Sequence, residues 1–250
     1  MTTPGFLYRR FSRWIPCVFQ HVGRGGLSLI GKYEIASFRD VFMSSNYWRL
    51  FDHLTEPPKL IVDLGAHCGH FSILCNTCIL ERFGEDHASY ILVEALPKLI
   101  QRIQRGIFEV GLEHQARIIQ GVVGRKSGDA FFPRRSENLL ASKASFQKVS
   151  HSDQVLQYID LDQVIPQHQS IDILKIDIEG SEYDLFLNYE SLFRRAKLVL
   201  IETHGPLEKR LELEQQFEKI GLFQLSTAIV RESESLLILG ITKPRYASSR

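Results

Sequence analysis

The chain has 250 residues, of which 44% are hydrophobic and 24% are charged, and its formal net charge is +1. This composition is typical of one soluble α/β domain with a modest extension. It argues against nucleic acid as a partner, because binding to phosphates needs a surplus of basic side chains. The sequence shows no secretory signal, and its four cysteines are expected to stay reduced, so the expected location is cytoplasmic.

The N-terminal region, residues 1–56, is predicted to be a helical extension. Its first 26 residues mix arginine with aromatic side chains but are too short and too interrupted to span a membrane. They are expected to cover an edge of the domain; the alternative is a basic amphipathic helix on a membrane surface. Apolar residues recur at helical spacing through residues 27–55, and Pro57-Pro58 ends this region. The main domain is therefore predicted to span residues 57–250.

Strand-like and helix-like runs alternate from Leu60 onward. The predicted strands are 60–63, 90–94, 116–120, 171–177, 197–202, 223–230 and 235–242. The predicted helices are 71–83, 97–108, 182–193 and 206–220. This alternation predicts an α/β, Rossmann-like fold, in which a mostly parallel sheet has helices on both faces and a C-terminal antiparallel hairpin. The polar stretch 133–153 interrupts it and is either a surface insertion or a loop or short strands near the substrate.

A glycine-rich turn joins the first of these strands to the first helix. Gly65 and Gly69 allow a tight turn and a close approach of backbone N–H groups to a ligand. The spacing Asp-x-Gly-x-x-x-Gly, which begins at Asp63, differs from the Gly-x-Gly-x-x-Gly pattern of dinucleotide-binding turns. A carboxylate before the turn would repel a pyrophosphate but suits the ammonium group of S-adenosylmethionine, bound directly or through water. The residues predicted to bind this cofactor here are Asp63, Gly65, Ala66, His67, Gly69 and Phe71.

The ends of the second and third strands complete the predicted cofactor site. Glu94 can accept hydrogen bonds from both ribose hydroxyls, although NAD enzymes use the same device. Ala95 follows it in the same turn. Gln120 and Gly121 are predicted to lie against the adenine; alternatively, Gln120 is simply a polar residue at a strand end.

Three acids lie at or just after the end of the fourth strand, at the edge where open α/β sheets bind ligands. Because each buried carboxylate costs desolvation, Asp177, Glu179 and Glu182 are expected to orient the cofactor's methyl group, deprotonate an acceptor hydroxyl or hold a divalent ion. Glu182 can equally be a first-turn acid that interacts with the helix dipole. His204, after the fifth strand, is a candidate general base; the alternative is a structural histidine.

These motifs together resemble the FkbM family of methyltransferases, over roughly residues 38–242. The resemblance is carried by the turn from Asp63 to Gly69 and by Val93-Glu94. Its most specific part is residues 173–182, which look like the family's Lys-Ile-Asp-x-Glu-Gly-x-Glu signature. The flanking strands that also match are 158–162 and 201–204. The resemblance implies a seven-stranded class I methyltransferase fold, S-adenosylmethionine as cofactor, and methylation of a hydroxyl on a sugar or another secondary metabolite.

Two positions depart from the family pattern. His67 stands where the family has asparagine, and Ala95 stands where it has proline. Imidazole can still donate or accept a hydrogen bond. Because the Glu94 carboxylate is also kept, neither change predicts an inactive enzyme.

The sequence therefore predicts an S-adenosylmethionine-dependent O-methyltransferase that acts on a small molecule. Its predicted catalytic residues are Asp177, Glu179 and His204, with Asp177 also touching the cofactor. A divalent metal and an oligomer are both compatible with the sequence, but no metal site is predicted. Two alternatives stay open: an NAD-dependent oxidoreductase, which shares the strand–turn–helix unit, and a non-catalytic Rossmann-like interaction module.

Overall fold

The computed structural model of the protein describes residues 17–21, 25–29, 32–43, 45–132, 154–231 and 234–241. Its strands are β1 (Cys17–His21), β2 (Gly25–Leu29), β3 (Leu60–Leu64), β4 (Ser89–Glu94), β5 (Ala116–Gln120), β6 (Asp129–Phe132), β7 (Gln154–Gln157), β8 (Ile171–Ile176), β9 (Ala196–His204), β10 (Phe223–Arg231) and β11 (Glu234–Gly240). Its helices are α1 (Lys32–Phe42), α2 (Ser45–Trp48), α3 (His70–Phe83), α4 (Pro97–Glu109), α5 (Leu161–Val164), α6 (Glu182–Asn188), α7 (Glu190–Arg194) and α8 (Leu207–Lys219). A short 3-10 helix, Arg49–His53, follows α2.

The central sheet has seven strands in the order β10-β11-β9-β8-β3-β4-β5. Strands β9, β8, β3, β4 and β5 run parallel, and β11 is antiparallel to both β9 and β10. This confirms the predicted α/β, Rossmann-like architecture with its C-terminal hairpin. The strand order reverses between β3 and β8, and open α/β sheets bind ligands at the carboxyl ends of the strands beside such a reversal.

Helices cover both faces of the sheet, which explains why its central strands are continuous apolar runs rather than alternating ones. Every residue of β3 and β8 is buried. One core cluster packs α1, α3 and α4 against one face, and a second packs α6, α7 and α8 against the other. In the second cluster, the rings of Phe186, Phe193 and Phe217 contact one another at centroid distances of 5.3 to 5.4 Å. None of the described helices is long and apolar enough to cross a membrane.

The N-terminal region is not wholly helical, which corrects the prediction of a helical extension. Strands β1 and β2 pair antiparallel, and the first described helix begins at Lys32. Gly25 and Gly26 lie in β2, and glycine disfavours a helix by about 1 kcal/mol relative to alanine. From Lys32 onward the expected helices are confirmed. Residues 1–16 lie outside the described part of the chain, and the domain boundary at residue 57 stays a prediction.

The helix predicted over residues 182–193 is broken at Tyr189, so that α6 and α7 are separate helices. The buried Tyr189 hydroxyl accepts a hydrogen bond from the backbone N–H of Leu161 at 3.2 Å and lies 3.2 Å from Arg125 O. Because these partners belong to a distant part of the chain, the break is a tertiary effect that local helix periodicity cannot reveal.

Residues 158–162, which the family resemblance predicted to be a strand, do not form one. Strand β7 ends at Gln157 and pairs antiparallel with β6. Asp160 then caps α5, because its carboxylate accepts a hydrogen bond from the backbone N–H of Asp162 at 3.1 Å. The polar stretch 133–153 lies outside the described residues, so its two alternatives stay open.

Helix α1 is fixed against α3 and α4 by buried polar contacts. Glu34 is only 2% exposed and pairs with Arg105 at 2.6 Å and with Arg102 at 3.5 Å. Ser37 Oγ lies 2.9 Å from Nδ1 of the buried His70, the first residue of α3. These contacts hold α1 beside the glycine turn that precedes α3.

The variant Glu34→Gln is expected to lower the free energy of unfolding by about 2 kcal/mol, because it removes the charge that accepts a hydrogen bond from Arg105 and pairs with Arg102. Urea unfolding followed by circular dichroism measures this change. Glu81→Gln, at an exposed position of α3, is the matched control and should change stability by less than about 0.5 kcal/mol. Equal effects of the two variants would show that α1 does not depend on this pair.

Candidate active site

A cavity of about 310 Å³ opens at the carboxyl edge of the parallel strands. Its wall combines the turns that follow β3, β4 and β8 with the end of β9, residues of α1 and α2 and the start of β11. The volume lies at the lower end of the range for ligand-binding pockets. Because the cavity includes the ends of β3 and β8, it lies at the point where the strand order reverses.

Most of the predicted site residues line this cavity. Those in its wall are Gly65, Ala66, His67, Phe71, Glu94, Ala95, Gly121, Asp177, Glu179 and His204. Three predicted residues lie outside the wall. Asp63 is fully buried at the end of β3, Gly69 is the residue before α3, and the Gln120 side chain is exposed on the edge strand β5. The structure therefore joins the ends of several strands into one site.

The glycine turn depends on a close approach that only glycine permits. The backbone N–H groups of Gly65 and Ala66 both donate to Val93 O, at 2.9 and 3.0 Å. Gly65 has φ +75°, and a Cβ atom there would lie 1.8 Å from Asp177 O. The turn after β3 and the loop after β8 are therefore in direct backbone contact.

His67 is a partly buried side chain in this turn, and its ring nitrogens lack polar partners among the described residues. Its φ is +51°, in the left-handed region, which histidine and asparagine adopt more readily than most residues. Both ring nitrogens are buried, and neither has a hydrogen-bond partner among the described residues. Burial lowers the pKa of His67 to about 4, so the ring is neutral at neutral pH. Buried polar atoms are rarely left unpaired, so this ring indicates a ligand that supplies the missing partner.

Glu94 lies beside His67 at the end of β4. Its Oε2 accepts a hydrogen bond from the backbone N–H of His67, and its Oε1 accepts one from that of Leu96, both at 2.8 Å. Burial raises the pKa of Glu94, although these backbone bonds oppose the shift. Each carboxylate oxygen can accept a further hydrogen bond. We call the part of the cavity formed by residues 65–67, Glu94 and Ala95 the turn end.

Lys175 ties the turn end to the rest of the site. Its side chain is 6% exposed and lies 3.3 Å from Asp63 Oδ1, its direct neighbour in the parallel strand pairing. The ammonium donates to Gly65 O at 2.6 Å and lies 3.8 Å from Asp177 Oδ2. Burial lowers the pKa of Lys175, but the charges of Asp63 and Asp177 outweigh it and raise the pKa. Asp63, which also accepts a bond from Ser72 Oγ at 2.9 Å, therefore acts on a lysine of the same chain.

His204 is surrounded by carboxylates at the opposite end of the cavity. Its Nδ1 lies 3.0 Å from Oε1 of the fully buried Glu182, and that oxygen also accepts a bond from Gly180 N–H. Its Nε2 lies 3.6 Å from Glu179 Oε2 and 3.9 Å from Glu202 Oε1. Burial lowers the pKa of His204, but the bond to Glu182 and the nearby carboxylates outweigh it and raise the pKa to about 9. Glu182 is thus both a first-turn helix acid and the partner of His204.

Two more carboxylates extend this cluster. Glu202 lies on β9, and Glu234 is the first residue of β11, opposite His204 in the strand pairing. Burial and the charge of Asp177 raise the pKa of Glu202 to about 8. The acidic end, as we call it, consists of Asp177, Glu179, Glu202, His204 and Glu234, all of which line the cavity.

The sequence analysis did not identify Lys175, Glu202, Glu234 or Tyr47 as site residues. A signal existed for the first two. Lys175 stands in the 173–182 signature, and Glu202 precedes His204 by two residues, which places both on one face of the strand. Tyr47 and Glu234 line the cavity only because of how α2 and β11 pack, so no local pattern marks them.

Comparisons with known proteins were made for the sequence and for the fold. The family model described as the methyltransferase FkbM domain matches residues 63–223. A comparison with curated proteins gives no match. The matched residues run from Asp63, through the turn end and all of the acidic end except Glu234, to the first residue of β10.

Many solved structures share the fold at low sequence identity. A putative RNA methyltransferase from Pyrococcus horikoshii is 10% identical, with a TM-score of 0.47 over 83% of this chain and 85% of that one. TrmK from M. capricolum, solved with S-adenosyl-homocysteine, is 10% identical, with a TM-score of 0.48 over 80% of this chain and 69% of that one. An uncharacterized protein from Listeria monocytogenes serotype 4b is 14% identical, with a TM-score of 0.49 over 83% of this chain and 71% of that one. At these values the similarities carry no conclusion about function.

The variant Gly65→Ala is expected to destabilise the protein by more than about 3 kcal/mol, because the new Cβ meets the backbone oxygen of Asp177. Gly111→Ala is the matched control: its φ is +77°, but no atom lies within 4 Å of the added Cβ. It should cost only about 1 kcal/mol of left-handed strain. Thermal and urea unfolding measure both, and similar losses would show that the close approach at Gly65 is unimportant.

Proposed function

The chain belongs to the FkbM methyltransferase family, and from this premise we propose that it transfers the methyl group of S-adenosylmethionine to a hydroxyl of a small molecule. The observation that carries the proposal is one cavity with two chemically different ends. The turn end offers hydrogen-bonding groups to a cofactor, and the acidic end offers groups that can receive a proton.

The residues of the turn end fit S-adenosylmethionine. Glu94 would hold the ribose hydroxyls, since each of its oxygens can accept one more hydrogen bond. His67 would gain a partner for a ring nitrogen that now has none among the described residues. The adenine would pack against the part of the cavity wall formed by Phe71, Ala95 and Gly121, which have apolar side chains or none.

Asp63, Gly69 and Gln120 would contribute to cofactor binding without forming the cavity wall. Asp63 holds Lys175, and Lys175 in turn holds Gly65 O, so the carboxylate fixes the turn rather than meeting the cofactor's ammonium group. Gly69 shapes the start of α3 with φ +76°. Gln120 positions Gly121 through the backbone pairing of β5 with β4.

When bound, S-adenosylmethionine supplies a methyl group on a cationic sulfur that is already a good leaving group. The chain must then align the acceptor oxygen and take up the hydroxyl proton. We assign this uptake to Asp177, Glu179 or His204, which meet at the acidic end. Because the pKa of His204 is raised to about 9, this histidine can act as the base only when it is deprotonated. Asp177 and Glu179 are 29% and 23% exposed, so an acceptor can reach them from the cavity.

The charge of the acidic end supports a small molecule without phosphate groups as the acceptor. Asp177, Glu179, Glu202 and Glu234 all line this part of the cavity. The Lys175 ammonium lies 3.3 Å from Asp63 Oδ1 and donates a hydrogen bond to Gly65 O. Carboxylates repel a phosphate backbone, so this surface is unsuited to nucleic acid.

Calorimetric titration with S-adenosylmethionine and, separately, NAD tests the proposed cofactor. We expect micromolar binding of S-adenosylmethionine and none of NAD. Glu94→Gln should weaken binding about tenfold, because it removes a charge from the ribose contact. Asp63→Ala should abolish binding, because it leaves the Lys175 charge buried without its partner.

Each other outcome of this titration favours a different function. Binding of NAD alone would favour the oxidoreductase. Binding of S-adenosylmethionine without turnover on a broad panel of hydroxyl acceptors would favour the interaction module. Unchanged affinity in Glu94→Gln would remove Glu94 from the cofactor site, and Glu81→Gln serves as the control for general effects of charge.

The variant His204→Ala is expected to lower turnover about 100-fold while changing the affinity for S-adenosylmethionine little. The reason is that His204 lies at the acidic end, where it either takes up the proton or positions Glu179. Steady-state kinetics with an acceptor from the panel measure turnover, and calorimetry measures affinity. Because the substitution leaves Glu182 without its histidine, the melting temperature is measured alongside. Near-normal turnover would make His204 a structural residue.

A further inference from the structure

We propose that the acidic end binds one divalent metal ion through Asp177, Glu179 and His204. One donor atom from each of these side chains lies within 4.8 Å of the others. Donor atoms on opposite sides of an ion with bonds of about 2.1 to 2.4 Å are separated by about 4.2 to 4.8 Å. The three side chains can therefore share one ion without a change in the backbone.

His204 supplies independent evidence for a ligand at this position. Its side chain is only 3% exposed, and its Nδ1 is held by Glu182, which is fully buried. Its Nε2 lies 3.6 and 3.9 Å from the carboxylates of Glu179 and Glu202, beyond hydrogen-bonding distance. A buried ring with one nitrogen held by a carboxylate and the other turned to a cavity is how proteins orient a metal-binding histidine.

The negative charges of the carboxylates around His204 also favour the binding of a cation. Glu202 and Glu234 also have oxygens within 4.8 Å of the same ring, so that five carboxylates, Glu182 included, surround one imidazole. Partly buried carboxylates of this number are costly without a balancing positive charge. Lys175 lies at one side of this group, 3.8 Å from Asp177 Oδ2, and a divalent ion between the carboxylates and His204 would add positive charge at the centre of the group.

The donor set indicates the class of metal. Two carboxylates and one imidazole, with no cysteine among them, suit Mn²⁺ or Mg²⁺ better than a thiophilic ion. The cavity leaves coordination positions open to an acceptor oxygen, where the ion would act as a Lewis acid. This role rests on the proposed function, whereas the metal site itself does not. With the ion bound, the three side chains would be its ligands.

Titration of the full chain with Mn²⁺ alone, without cofactor or acceptor, tests the site. Electron paramagnetic resonance of free Mn²⁺ gives the number of ions bound and their affinity. We expect one ion per chain, lost in Glu179→Gln and His204→Gln, and held about 10- to 100-fold more weakly in Glu182→Gln. Glu208→Gln, at an exposed position of α8, should bind as the wild type does.

Several results would overturn the proposal. One is the absence of Mn²⁺ binding at millimolar concentration, and another is Mn²⁺ binding that is retained in Glu179→Gln. A third is Mn²⁺ binding that is lost in Glu234→Gln but retained in Asp177→Asn. The last would move the ion to the Glu202–Glu234 pair. Melting temperatures establish that each variant is folded. Since Glu179 is 23% exposed, its substitution should leave the fold intact even if that of His204 does not.

The same samples separate this proposal from the proposed function. Binding of S-adenosylmethionine with no binding of Mn²⁺ would remove the metal and leave the methyltransferase. Binding of Mn²⁺ that depends on Glu179, with no binding of S-adenosylmethionine, would keep the metal site and remove the proposed function.

Discussion

The buried ammonium of Lys175 is the interaction on which the whole site depends. A charge taken out of water is costly unless it has partners in good geometry, and Lys175 has three: Asp63, Gly65 O and Asp177. These partners belong to the end of β3, the turn that follows it and the loop after β8. One side chain therefore holds together two segments that are far apart in sequence, and the missing side chain of Gly65 lets them touch.

Lys175 and its partners lie between two different environments within one cavity. On the side of the turn, burial keeps the His67 ring neutral, and both oxygens of Glu94 accept hydrogen bonds from backbone N–H groups. On the other side, carboxylates surround His204 and raise its pKa. The first environment suits a large polar ligand held by directional contacts. The second suits a cation or a proton, because electrostatic attraction dominates there.

The sequence could predict the features that local pattern controls. The alternation of strands and helices predicted the sheet, and the carboxyl ends of its strands placed residues such as Glu94, Asp177 and His204 at one edge. The Lys175–Asp63 pair was missed because it depends on β3 and β8 being neighbours, which spacing alone does not reveal. The hairpin of β1 and β2 was missed because a short apolar run can fit either a strand or a helix period.

The acidic end has a further property that family membership does not explain. The family model begins at residue 63 and ends at residue 223, yet Asp40 and Tyr47 from the N-terminal helices and Glu234 from the last strand also line the cavity. Asp40 is positioned by the docking of α1 on α4, and Glu234 by the pairing of β11 with β9. The turn end, by contrast, lies wholly within the matched region. We therefore expect the family pattern to specify the cofactor more closely than the acceptor, because part of the wall that we assign to the acceptor comes from outside that pattern.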